Sequence, residues 1–292
     1  MSEIGRGVPL AITAAAKRLV DLALEEDLGS AGDVTSECTV GERTPGIADI
    51  VAKKDLVVCG VFAAEMTFAA VDANVEFHAR AAEGTHVVKG AIVAHLEGPA
   101  RSILAGERTA LNFLQRLSGI ACQARSFTQA VGKHKAKILD TRKTTPGWRA
   151  LEKFAVKCGG AENHRVGLFD GILIKDNHVA AAGGVAKAIQ SAKRLAPSLL
   201  KIEVEVTTFD QLKEALAEDP DVILLDNFDL DGIKKCVEIT RASNKKVLLE
   251  VSGGVTLARV PELAATGVDF LSAGALTHSA PAADLSLELS LL

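Results

Sequence analysis

Asp140-Thr141-Arg142-Lys143-Thr144-Thr145 places two cations, one carboxylate and three hydroxyls directly after the apolar pair Ile138-Leu139. Lys175-Asp176-Asn177-His178 follows the next apolar run, Ile172–Ile174, and His164-Arg165 sits between the two clusters. From Asp140 to His178 there are seven Lys/Arg against five Asp/Glu, a local +2 in a chain of formal charge −4. Arginine offers a planar fork that matches a carboxylate, whereas lysine acts as a point charge. Cations grouped at two adjacent strand ends repel one another unless an anion is bound, so this segment reads as an anion site. Glu205 and Asp226 supply the opposite charge and could hold sugar hydroxyls, Mg²⁺, or positive charge developing on a sugar carbon. Glu203, on the same strand face as Glu205, reads as a carboxylate satisfied by a neighbouring Lys or Arg. Ser252-Gly253-Gly254 and Ser272-Ala273-Gly274-Ala275 are turns that expose backbone N–H groups, each expected to be followed by a helix whose positive end favours phosphate.

The elements that must position these groups differ along the chain. Residues 8 to about 27 predict a helix. Gly46 to Gly98 is mixed, with strand-like Ile47–Ala52, Val75–Ala79 and Ala91–Leu96 around a helix from Phe62 to Val71. Arg101 to Val131 is helical and expected to break near Ser118-Gly119. Six apolar runs then recur: Ile138-Leu139, Ile172–Ile174, Ile202–Val206, Val222–Leu225, Val247–Val251 and Val268–Leu271. Helical patterns separate most of them, which implies a parallel α/β sheet with right-handed crossovers. No dinucleotide-binding glycine fingerprint follows the first strand, so a TIM-like barrel is favoured over an open sheet. Six runs are too few to close it, so the barrel is expected to be open. Residues 117–280 form this catalytic domain, and residues 1–116, joined by 281–292, form an N-terminal α/β sandwich.

The composition excludes several classes. Apolar residues make up 48% and aromatics only 4%, with one Trp and no Tyr, so aliphatic side chains must fill the core. An acidic balance argues against a nucleic-acid partner. Five scattered cysteines without a Cys-x-x-Cys pair predict neither a disulfide framework nor zinc, and suit a reducing cytoplasm. Phe270 to Ala283 is the longest charge-free run, shorter than the roughly 18 apolar residues of a spanning helix, so no membrane partner is expected.

At these residues the chain resembles the quinolinate phosphoribosyltransferases. The resemblance rests on Glu26–Gly29 with Gly32–Thr35, Glu107–Asn112 with Leu117–Ala121, Asp140–Gly147, Asn163–Arg165 and Ile174–His178. It runs through almost the whole chain, and its departures, Trp148 and the Ala161-Glu162 pair, fall between the charged positions. The resemblance implies that quinolinate and phosphoribosyl pyrophosphate give nicotinate mononucleotide, pyrophosphate and CO₂ with Mg²⁺, as a step of NAD biosynthesis. It implies that Thr141, Arg142, His164, Arg165 and Lys175 surround the two carboxylates, with Arg108 reaching in from a second subunit. Lys143, Glu205, Asp226, Ser252, Gly253, Gly254, Ala273, Gly274, Ala275 and His278 would hold the phosphoribosyl half. Lys143, Glu205 and Asp226 would serve the chemistry, and Mg²⁺ would sit on Glu205 or Asp226. A homodimer with shared sites, or a hexamer built from such dimers, is expected. Relatives tied to molybdenum transport share the architecture, and nicotinate-using transferases share the chemistry, but four cations suit a dicarboxylate. His178 and His278 are each either a ligand contact or a turn cap.

Overall fold

The computed structural model describes residues 7–291 and divides into two compact units. The first runs to Arg125 and adds Thr144–Gly160 and the chain from Leu276; the second holds Ser126–Lys143 and Ala161–Ala275.

In the first unit, α1 (Leu10–Leu28) and α2 (Val34–Thr39) precede β1 (Pro45–Ala52), β2 (Leu56–Val57), α3 (Val61–Val71), β3 (Glu76–Ala79), β4 (His86–Val87) and β5 (Ile92–Pro99). Helix α4 (Ala100–Ala130) begins there, and α5 (Arg149–Cys158) belongs to it. An antiparallel sheet runs β12-β1-β5-β3, where β12 (Leu285–Leu291) is the returning C-terminal segment paired along β1 from Ala52↔Leu285. Side chains of β1 alternate, so Ala48, Ile50 and Ala52 enter a core with Phe68, Leu96, Ile103 and Leu114. The larger of these side chains, Ile, Leu and Phe, each contribute roughly 1.5–3 kcal/mol by burial. Two short strands, β2 and β4, pair separately.

Helix α4 is unbroken across Ser118-Gly119, contrary to the expected interruption. Both residues are buried, and neither acts as a breaker. Ser118 Oγ accepts from the Cys59 amide at 2.9 Å and donates to the Cys59 carbonyl at 3.1 Å. A Cβ on Gly119 would stand 2.0 Å from the Pro281 carbonyl oxygen, so the glycine is there for close backbone approach.

Glu152 of α5 is fully buried and organises the segment before it. It accepts from Arg116 at 2.7 Å, from Thr145 Oγ1 at 2.9 Å and from the Thr145 amide at 3.2 Å. Arg116 also donates to the carbonyls of Thr277 and Ala280, so one guanidinium ties α4, α5 and the returning chain together. Trp148 stacks on Phe113 at 4.8 Å, next to the N-terminus of α5. None of the five cysteines is in a disulfide, but Cys59 and Cys158 come together with Glu83, with all three ligand-type atoms within 4.8 Å of one another. Their separation of 99 positions hid this grouping from the sequence. Glu83 has a structural task, accepting from the Gly60 and Phe62 amides at the start of α3.

The second unit alternates β6 (Lys137–Leu139), β7 (Ile172–Ile174), α6 (Asp176–Ala182), α7 (Val185–Leu195), β8 (Ile202–Val206), α8 (Phe209–Glu218), β9 (Val222–Leu225) and α9 (Leu230–Ala242). Then follow β10 (Leu248–Ser252), a 3-10 turn at Leu257–Arg259, α10 (Val260–Ala264) and β11 (Phe270–Ser272). Four-residue α11 (Ala275–His278) comes next. Thr208 and Asp229 start α8 and α9 by accepting from the amides of Gln211 and Gly232. All six strands are parallel in the order β6-β11-β10-β9-β8-β7, which is a barrel left open between β6 and β7.

Replacing Gly119 by Ala sets helix propensity against packing. Alanine gains about 1 kcal/mol in a helix interior, whereas overpacking costs about 1–3 kcal/mol. With backbone as the obstacle, packing wins, and thermal unfolding of Gly119→Ala is expected to fall below wild type. A raised Tm would mean that the approach to Pro281 is not what requires glycine.

Candidate active site

Register puts the chemically active residues on one face of the parallel sheet. Glu205 lies beside Leu224, Leu224 beside Glu250, and Ser252 beside Ser272. Strand side chains alternate, so Glu203, Glu205, Asp226, Glu250, Ser252 and Ser272 share that face. Ile174↔Val204 is the last pair between β7 and β8, which brings Lys175 next to Glu205. Their side chains meet at 2.9 Å, with the carboxylate nearly buried and the ammonium half exposed.

The strands bearing the two cation clusters, β6 and β7, are not neighbours in the ladder but the opposite edges of the sheet. They are joined instead by the link of residues 161–171. Glu162 extends β6 through a parallel bridge to Leu139, and Arg165 Nη1 donates to the Gly171 carbonyl at 3.1 Å, just before β7. Buried Asp140 accepts from the His164 amide at 2.8 Å, which fixes the middle of the link. Burial, and then the neighbouring Arg142 charge, pull the Arg165 guanidinium below its ordinary pKa. A guanidinium whose charge is disfavoured by burial and by a neighbouring cation is a receptor for an anion. Arg142 and Lys143 are exposed, and Thr141 Oγ1 accepts from the Lys143 amide at 3.0 Å.

The phosphate-type turn is at Ser252-Gly253-Gly254. Gly253 and Gly254 have φ of 87° and 61°, in the left-handed region. A Cβ on Gly253 would lie 3.2 Å from Asp226 Oδ1, so the turn and the Asp226 carboxylate are in contact. A cleft of about 290 Å³ opens against this turn, lined by Asn227, Phe228, Asp229, Ser252, Gly253, Gly254 and Arg259, among others. The helices after the two turns are short. A 3-10 turn and five-residue α10 follow the first, and four-residue α11 follows the second. Backbone amides, not a long helix dipole, are what these turns offer.

Thr141, Arg142, Lys143, His164, Arg165, Lys175, Glu205, Asp226, Ser252–Gly254 and Ala273–Ala275 therefore all belong to the second unit. Arg108 and His278 belong to the first, where each is exposed; His278 Nδ1 lies 2.6 Å from Ser279 Oγ. His178 Nδ1 accepts from the Lys175 amide at 2.9 Å, which makes it a cap of α6. Glu203 Oε2 is paired with His164 Nε2 at 2.9 Å, not with a Lys or Arg. Sequence reasoning missed Glu250, which is 2% exposed in the middle of β10. The signal was a lone carboxylate inside the apolar run Val247–Val251. Burial, and then the Glu203 charge, push its pKa up to about 8.

An open α/β barrel whose strand ends combine paired guanidiniums, a glycine turn and carboxylates defines an enzyme of anionic substrates. Residues 33–118 match the family described as quinolinate phosphoribosyl transferase, N-terminal domain, and residues 120–288 match its C-terminal domain. The chain belongs to the quinolinate phosphoribosyltransferase family. It is 43% identical over 275 residues to a probable nicotinate-nucleotide pyrophosphorylase [carboxylating] of Bacillus subtilis, covering 94% of this chain and 93% of that one. The solved nicotinate-nucleotide pyrophosphorylase of Francisella tularensis superposes with TM-score 0.91 at 40% identity, over 99% of this chain and all of that one. NadC from Streptococcus pyogenes gives TM-score 0.89 at 36% identity, over 94% and 96% of the two chains.

Gly253→Ala is expected to cost about 1–2 kcal/mol of stability from its left-handed backbone. It is also expected to weaken binding of inorganic phosphate by crowding Asp226. Chemical denaturation and equilibrium dialysis measure the two effects, and unchanged phosphate binding would separate the turn from the anion site.

Proposed function

We propose that this chain transfers the phosphoribosyl group of phosphoribosyl pyrophosphate to quinolinate, with loss of CO₂, to give nicotinate mononucleotide and pyrophosphate. The observation that carries this reading is the Arg142–Arg165 pair, whose mutual repulsion a bound dicarboxylate relieves. Thr141, His164 and Lys175 complete the dicarboxylate side, and Lys143 faces the departing pyrophosphate. Attack by the ring nitrogen on the ribose carbon needs no protein nucleophile. Holding the two reactants in line contributes most of the rate. Glu205, held by Lys175, stabilises positive charge on the ribose carbon in this reading. Once the ring nitrogen is cationic it stabilises the electron pair left on the adjacent ring carbon as CO₂ leaves, and that carbon takes up a proton from water. Ser252–Gly254 and Ala273–Ala275 offer amides to phosphate, and His278 joins them in this reading.

Mg²⁺ fits the donor set. Asp226 presents carboxylate oxygens against the glycine turn with Asn227 as its side-chain partner, whereas Glu205 is engaged by Lys175. One or two carboxylates plus substrate phosphates are the usual holders of this ion. When bound it neutralises charge on the pyrophosphate. Among the described residues no helix is long and apolar enough to cross a membrane. Five free thiols favour a cytoplasmic setting. Arg108, exposed on α4, supports a homodimer, or a hexamer of dimers, in which it serves the site of a second copy.

Incubation with quinolinate, phosphoribosyl pyrophosphate and Mg²⁺ is expected to release pyrophosphate and CO₂ in equal amounts. Preference for a monocarboxylate such as nicotinate would overturn the substrate assignment. Arg108→Ala and Lys143→Ala are each expected to lower activity by at least about a hundredfold, the scale of a lost transition-state contact. Mixing the two variants rebuilds one intact site per mixed dimer and is expected to restore part of the activity. No recovery despite subunit exchange would place Arg108 in the site of its own chain.

A further inference from the structure

Beneath the strand ends lies a set of buried polar side chains. Glu203 of β8 and Glu250 of β10 are 6% and 2% exposed, and both reach His164. His164 Nε2 stands 2.9 Å from Glu203 Oε2 and 3.6 Å from Glu250 Oε2. Ser272 Oγ is 2.5 Å from Glu250 Oε1. The remaining oxygen, Glu203 Oε1, is buried without any hydrogen-bond partner. A buried carboxylate oxygen with no donor is costly, and two ionised carboxylates so close are costlier still. A single proton on Glu250 removes both penalties.

The donor directions then agree throughout. The Arg165 amide donates to His164 Nδ1 at 2.8 Å, so the neutral ring carries its proton on Nε2 and donates to Glu203. Ser272 donates to Glu250, and Glu250 donates to the orphan oxygen of Glu203. We propose that Glu250 is a positioning residue for this site: it keeps a proton shared with Glu203, holding His164 in one tautomer and the site floor at a single negative charge. The link to substrate rests on the function proposed above, because a dianion bound at Arg142 and Arg165 lies over that floor. Burial and the Glu203 charge both favour the protonated form of Glu250. The titratable groups facing Glu250 are Glu203 from β8 and His164 from the link. Its register neighbours are Leu224 on β9 and Phe270 on β11.

The same three side chains could be read as ligands of a metal ion. Donors at tetrahedral zinc distances lie about 3.3 Å apart. The 2.9 Å between His164 and Glu203 is a hydrogen-bond length instead.

Two pH effects follow, with opposite reach. The folded protein holds a proton that the unfolded chain releases above about 4.5, so stability declines as pH rises from there to about 8. Above about 8 the floor gains a second charge and repels a dicarboxylate. By reciprocity, a bound dicarboxylate pushes the proton of Glu250 to still higher pH.

The wild type is expected to show an infrared carbonyl band of a protonated carboxylic acid that titrates near pH 8 and is absent from Glu250→Gln. KM for quinolinate is expected to rise about tenfold from pH 7 to pH 9 in the wild type, with little change in kcat, the scale of a like charge placed nearby. In Glu250→Gln, which cannot ionise, that alkaline rise disappears and the decline of stability with pH flattens. An unchanged alkaline limb in Glu250→Gln overturns the proposal, as does a wild type lacking the protonated band. Stoichiometric zinc or manganese in the purified protein that Glu250→Gln loses would overturn it in favour of a metal site. If Glu250→Gln does not fold, the wild-type infrared titration still decides the matter. If the wild type forms no product, the proposed function fails, while the infrared and stability measurements still test the shared proton.

Discussion

Parallel strand register is the constraint from which the site follows. Six parallel strands end at the same side of their sheet, and alternation assigns every second residue to one face. Lys175, Glu205, Asp226, Ser252 and Ser272 are therefore near one another without any of them having to be close in sequence. A register slip of one residue on β8 would turn Glu203 and Glu205 to the other face and bring Val204 in their place. Catalytic precision here is inherited from backbone pairing, which the apolar outer positions Val204, Ile223, Leu225, Leu249 and Val251 maintain by burial.

Against that scaffold the charges are arranged in two tiers. Cations line the rim, where burial and then the Arg142 charge disfavour the charged form of Arg165. Acids lie below them, buried and economical in charge. The first unit contributes a different kind of order. Fully buried Glu152 gathers Arg116 and Thr145, and Arg116 in turn grips the carbonyls of Thr277 and Ala280. Taking away one partner of such a buried pair costs about 3–5 kcal/mol, so this junction resists change even though it carries no chemistry of its own.

Much of this was legible before any coordinates. Periodicity found the six strands and most of the helices between them, because a buried parallel strand is an uninterrupted aliphatic run. Charged residues directly after those runs pointed to the candidate site, since strand ends are where a barrel exposes side chains. What escaped had nonlocal causes. Ser118-Gly119 looks like a helix break until Pro281 and Cys59 are seen packed against it. Glu250 is one acid among apolar neighbours, and only the folded sheet reveals that it meets Glu203 and His164. The edge positions of β6 and β7 could not be read from strand order alone, since closure of the ring determines which strands flank the opening.

The stacking of Trp148 on Phe113 has a practical corollary. The chain holds one tryptophan and no tyrosine, so nearly all its near-ultraviolet absorbance and intrinsic fluorescence arises from this one indole. It follows Gly147 directly, at the end of the segment that begins with Asp140, and its ring is fixed 4.8 Å from a buried phenyl group. Evolution has thereby left the molecule with a built-in optical gauge. Shifts in its emission during a titration report on the order of that one segment, with no label and no second chromophore to disentangle.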